Sequence, residues 1–206
     1  MDDAAVMPAR HKLNRHAYER MVDAAILGKQ DRVELIDGEI LDMAPIGRSH
    51  GSLVAALNQA LVLACHGRAI VFTQSSLWLD HWNVPQPDFA VLRFRSDFYI
   101  TGSRPGPADA LLVVEVADNS LRYDREVRLP LYAGAGIPEY WIVDLQQRVV
   151  DAYWQPEGGR YAGTATRRGG DQVALSAAPD IVVTILPSAS VMPAALRAPC
   201  RRHRAR

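Results

Sequence analysis

The chain reads as a mixed α+β protein with a central mixed sheet flanked by helices. Three apolar runs, AIVFTQSSLWL (69–79), PDFAVL (87–92) and ALLVVEVA (110–117), follow a helical pattern over 47–67. A second helical pattern (124–135) then leads into a fourth run, EYWIVD (139–144). Strands joined by short connections pair antiparallel, while a helical crossover returns the chain parallel, so the order helix, strand, strand, strand, helix, strand implies a mixed sheet.

Each element has its own signal. Residues 14–28 (NRHAYERMVDAAILG) carry an amphipathic helical pattern, and RVELIDGEILDM reads as a hairpin turning at Asp37-Gly38. Leu53, Leu57, Leu61 and Ala64 recur at helical spacing along the 47–67 segment; His50 shares that stripe and Gly67 stands at the expected C-terminus. The polar stretch TGSRPGPAD between the second and third runs reads as a surface loop. Pro130 is expected to kink the 124–135 helix or delay its start. Beyond 144, VVDAYW, GRYAGTATR and DIVVTILP read as strands separated by turns.

Composition sets the class. With 22% charged and 49% hydrophobic residues the 206-residue chain has a globular profile, and it contains no uninterrupted apolar run of the ~18 residues a membrane span needs. The first thirty residues lack the apolar core of a secretory signal, and Cys65 and Cys200 form no metal-ligand spacing. We therefore expect one domain over residues 1–187, soluble in a reducing cytoplasm. The formal net charge is zero, which is not the footprint of a basic nucleic-acid-binding domain. The charge is uneven, however: residues 188–206 hold Arg197, Arg201, Arg202, Arg204 and Arg206 and no acid, leaving 18 basic against 23 acidic residues elsewhere. This end is read as a basic, disordered tail, with phosphate contact as the alternative.

Two carboxylates carry the functional signal. Asp88 heads the second apolar run and Glu115 sits near the end of the third. A strand that reads as a continuous apolar run is buried on both faces, where an uncompensated charge costs several kcal/mol, roughly. A divalent cation held between neighbouring strand ends would compensate both. Magnesium suits such a site, because it prefers oxygen ligands, keeps several waters and takes one or two carboxylates plus substrate phosphate.

With both acids on adjacent core strands, the chain resembles the PD-(D/E)XK nuclease superfamily and, more narrowly, the Uma-type family of restriction-endonuclease-like proteins. The matching stretches are ELIDGEILDMAPIGRSH, PQPDFAVL, LLVVEVADNS, YDREVRLPLY and GIPEYWIVD, spanning roughly residues 33–144 with extension to Tyr161. The resemblance implies a restriction-endonuclease-like core and hydrolysis of DNA phosphodiester bonds, assisted by Mg2+ or Mn2+ between Asp88 and Glu115. The backbone carbonyl of Val116 is a further candidate ligand. By analogy with nucleases of this fold, a homodimer is expected.

The departure from the superfamily motif is its lysine. The position two after the second acid is Ala117, and the place where Uma-type proteins carry a lysine on the following helix holds Arg128. The chain has only Lys12 and Lys29. Arginine stays protonated, so Arg128 can hold a phosphate oxygen but cannot act as a general base. His50, whose unperturbed pKa of about 6.5 suits proton transfer, is a candidate base, and Glu34 is a candidate to orient a metal-bound water. Structural alternatives stand beside each role: an i,i+4 pair with Asp124 for Arg128, a satisfied core histidine for His50, a cross-strand partner for Glu34, and strand-end capping for Asp88. The loss of lysine also leaves open a second function, a non-cleaving nucleic-acid-binding or protein-interaction module on the same scaffold.

Overall fold

The fold is taken from a computed structural model that describes residues 10–28, 30–45 and 47–186. The basic tail expected over 188–206 lies outside the described residues, as does Lys29. A six-stranded sheet forms the centre, in the order β3(Ala69–Thr73), β4(Phe89–Arg93), β5(Ala110–Ala117), β6(Glu139–Asp144), β7(Val149–Glu157), β8(Arg160–Arg167). Only the β5/β6 pair is parallel. The mixed sheet expected from the element order is therefore present, and no helix among the described residues is long and apolar enough to cross a membrane.

Helix α2(Arg48–Cys65) packs on one face together with the hairpin of β9(Gln172–Leu175) and β10(Ala178–Thr184). The opposite face is covered by the β5–β6 crossover, which runs through α3(Leu121–Tyr123), a π-helical turn Asp124–Arg128 and α4(Leu129–Gly134). Alternation along the strands sorts the core accordingly. Leu112, Val114 and Val116 of β5 join Leu57, Leu61 and Trp141 under α2, whereas Val113 and Ala117 point to the crossover side with Tyr132, Tyr140 and Ile142. Glu115 shares the parity of Val113 and Ala117, and so faces the crossover too.

The N-terminal hairpin of β1(Val33–Ile36) and β2(Glu39–Asp42) is a separate two-stranded sheet. Its turn uses left-handed φ at both Asp37 (49°) and Gly38 (74°), as a two-residue hairpin loop of this hand requires. A Cβ on Gly38 would stand 2.7 Å from the Lys12 Cβ, so the position needs glycine on steric grounds as well. A bridge between Leu35 and Val84 ties the hairpin to the segment before β4, and α1(Arg15–Asp23) packs Tyr18 against the same junction.

Several expected boundaries shift. α1 is shorter than the 14–28 pattern and α2 falls within the 47–67 pattern, closing at His66 in the left-handed conformation. Strand β3 ends at Thr73, because Gln74 turns to φ 48° and the chain leaves the sheet; β4 begins one residue after Asp88; β9 was not anticipated. The crossover helix starts at Leu121, earlier than expected, so Pro130 does not delay it. Proline lacks an N–H and crowds the preceding turn, and here the helix widens into the π-turn immediately before it.

Cys65 is 2% exposed under the sheet and burial pushes its thiol pKa up to about 11. At about pH 8 the native protein is expected to leave the Cys65 peptide unlabelled by iodoacetamide, with full labelling in denaturant, because only the thiolate reacts. Phe89 is fully buried between β3 and β5. Truncation to alanine is expected to cost about 3–5 kcal/mol in urea unfolding.

Candidate active site

The pairing register sets Phe89 opposite Val114, so the next step outward brings Asp88 beside Glu115. The two acids interlock through each other's strand: the Val116 N–H donates to Asp88 Oδ2 at 2.9 Å, and the Asp88 N–H donates to Glu115 Oε2 at 3.4 Å. Both line a cavity of about 500 Å3 whose wall also includes Glu34, His50, Asp124 and Arg128. All five positions singled out in the sequence are thereby brought together, and Val116 lines the same cavity.

His50 projects from the first turn of α2 and its Nε2 lies 3.0 Å from Asp88 Oδ1. That hydrogen bond raises the His50 pKa, outweighing burial, which lowers it. Burial pushes Asp88 up, yet the hydrogen bonds from His50, the Val116 N–H and Gln74 leave its pKa below the ordinary value. His50 is thus tied to a carboxylate through Nε2.

Arg128, 7% exposed, is forked between the other two acids. Its Nη2 donates to both Glu34 oxygens at 2.9 and 3.0 Å, and its Nη1 meets Glu115 Oε1. The guanidinium stacks 5.4 Å over the Tyr123 ring, while Asp124 Oδ1 lies 3.8 Å from Nε. The i,i+4 pair with Asp124 is therefore the loosest of its three ionic contacts. Burial lowers the Arg128 pKa, but the surrounding acids more than reverse this and hold it well above the ordinary value. Burial drives the Glu115 pKa well up; Arg128 opposes this, and Asp88, Asp124 and Glu34 reinforce it.

The donor set fits a hard divalent ion. Each carboxylate oxygen offers two lone pairs. Asp88 Oδ1 meets His50 and Gln74, and Glu115 Oε1 meets Tyr132 and Arg128. Asp88 Oδ2 and Glu115 Oε2 each accept a single backbone bond, so one lone pair remains on each. Four acids, Glu34, Asp88, Glu115 and Asp124, line the cavity together with one buried guanidinium, so the centre holds more acids than cations. Among the described residues no three His, Cys, Asp or Glu side chains form a ready-made metal cage. A site here would be of the magnesium kind, completed by water and substrate oxygens.

Four participants were not anticipated in these roles. The Tyr132 hydroxyl, fully buried, donates to Glu115 Oε1 at 2.9 Å, and the Tyr123 hydroxyl donates to Glu34 Oε1 at 3.3 Å. Asp124 accepts from the Ser120 hydroxyl at 2.6 Å, and Gln74 holds Asp88 Oδ1 at 3.3 Å. The available signal was helical spacing: Asp124, Arg128 and Tyr132 recur every four residues along one side of the crossover. The arginines around the 94–104 loop are engaged elsewhere, Arg95 with Asp97 and Arg104 with Glu19 and Trp78.

Fold and cluster together define the class, an α+β protein with a nuclease-like core whose acids meet at neighbouring strand ends. A family model described as "Putative restriction endonuclease", Uma2, matches residues 16–186, and the chain belongs to the Uma2 family. A crystal structure of "a putative nuclease belonging to DUF820" from Anabaena variabilis ATCC 29413 shares the fold, with a TM-score of 0.58, 14% identity, and coverage of 76% of this chain and 89% of that one. No curated protein matches the chain. Membership in this family supports a nuclease-like function.

The buried ion pairs have a measurable consequence. Arg128→Met leaves Glu34 and Glu115 without their cation and is expected to cost about 3–5 kcal/mol at neutral pH. A carboxylate whose folded pKa is raised stabilises the fold below its unfolded pKa and loses that contribution as pH rises. Removing Arg128 raises Glu115 further, so in chelated buffer the Glu115 part of the variant's deficit in urea midpoint should be small in acid and widen only once pH passes the parent's own folded Glu115 pKa, which already stands well above the ordinary 4.5.

Proposed function

We propose that the chain is a Mg2+- or Mn2+-dependent endonuclease that hydrolyses phosphodiester bonds in DNA, working in the cytoplasm as a homodimer from a single domain over 1–187. The observation that carries this reading is the reciprocal bonding of Asp88 and Glu115, two acids that line one cavity and each keep an oxygen with a single backbone bond. Asp88 and Glu115 would hold the ion, with the Val116 carbonyl as an additional oxygen. When bound, such an ion lowers the pKa of its water and offsets charge developing on the phosphate.

The protein's own groups do the rest. His50 and Gln74 fix the Asp88 carboxylate from one side, and the Val116 N–H fixes it from the other. Tyr132 fixes Glu115. Arg128 remains cationic at any working pH, so its contribution is to a phosphate oxygen and to the charge balance, with Glu34 and Tyr123 holding the guanidinium in place. No lysine follows the second acid, and His50, bonded to Asp88 through Nε2, keeps its other ring nitrogen as the candidate to take a proton.

The missing lysine favours the second reading, a non-cleaving nucleic-acid-binding or protein-interaction module. Supercoiled plasmid separates the two. Cleavage that requires Mg2+ or Mn2+ and falls about 100-fold or more in Asp88→Ala is the expected outcome. DNA retardation without cutting, unchanged in Asp88→Ala, would establish the binding module instead. An Arg128→Lys variant that cuts faster than the parent would show arginine to be a compromised replacement for lysine.

A further inference from the structure

The centre of the site already contains a cation, and the chain supplies it. Arg128 reaches Glu34 through two hydrogen bonds and Glu115 through a third contact, in a setting where all three side chains are less than a tenth exposed. A divalent ion seated on Glu115 would stand beside this guanidinium, and two like charges in a poorly solvated pocket repel strongly. The carboxylate cannot serve both cations fully. An alternative berth lies next to the guanidinium: Asp124 is 1% exposed, and its Oδ1 sits 3.8 Å from Arg128 Nε, too far for a hydrogen bond. That Nε is buried without a hydrogen-bond partner, so the donor and acceptor that would form the replacement bond both stand ready.

We propose that Arg128 is an internal counter-cation that competes with the divalent ion for Glu115, and that ion binding transfers the guanidinium from Glu115 toward Asp124. The inference rests on the reading of Asp88 and Glu115 as metal ligands and adds the regulation of that site. Metal affinity is then set by the arginine, and a guanidinium released from Glu115 becomes available to an incoming phosphate only once the ion is in place. Tyr123, stacked on the guanidinium, and Glu34, bonded to it twice, keep it within the cavity during the exchange.

Calorimetric titration of Mn2+ into the full chain and into Arg128→Met tests this without relying on cleavage. Removal of the competitor should tighten Mn2+ binding by about tenfold or more, the direction opposite to that of a merely damaged site. Arg128→Lys, whose ammonium reaches fewer acids at once, should fall between the two, and it carries the test if the methionine variant does not fold. Equal or weaker Mn2+ binding in the folded variants, with binding by the parent intact, would overturn the competition and leave the metal site standing. Absence of Mn2+ binding in the parent and in the variants would overturn both.

Discussion

One buried guanidinium sets the terms for this molecule. Glu34 comes from the N-terminal hairpin, Glu115 from a central strand and Arg128 from the crossover helix, and their contacts join three otherwise separate parts of the chain. Removing an acid from water is costly unless a cation or donor meets it, so these acids and this arginine constrain one another's position. The hairpin is a separate two-stranded sheet, bridged to the core at Leu35 and Val84, and its Glu34 is anchored by Arg128. The same contact that positions this wall of the cavity neutralises part of its charge.

The sheet explains why the acids can sit where they do. β5 is apolar along both faces because both are covered, and Glu115 replaces one apolar side chain on the crossover face. Asp88 stands just beyond the end of β4, where backbone N–H groups are no longer consumed by the ladder and can bond a side chain. The π-turn completes the arrangement. By widening the helix before Pro130 it places Asp124 and Arg128 in the cavity wall, while Tyr132, one turn on, reaches Glu115 from above.

Some of this was legible along the chain. Asp88 and Glu115 stood out because a carboxylate inside an apolar run demands a partner, and His50 because it shared a helical stripe with buried leucines. Arg128 was marked by the family resemblance, at the place of the Uma-type lysine, but not resolved: a surface pair with Asp124 and a role in the site were equally consistent with the sequence. Gln74 gave no signal at all, since its contact with Asp88 depends on a left-handed turn at a residue that is not glycine. Near the polar loop, Arg95 is engaged by Asp97 and Arg104 by Glu19 and Trp78, pairings that depend on the folded chain.

The sequence by itself determined the mixed class, the order of the core elements and the burial of Asp88 and Glu115, because periodicity and apolar runs are local properties of a chain in water. Only the tertiary structure decided which cation answers those acids. Arg128 lies 94 residues from Glu34. Its choice of Glu34 and Glu115 over its near neighbour Asp124 depends on where three elements meet and how little water remains there, and no spacing along the chain encodes that.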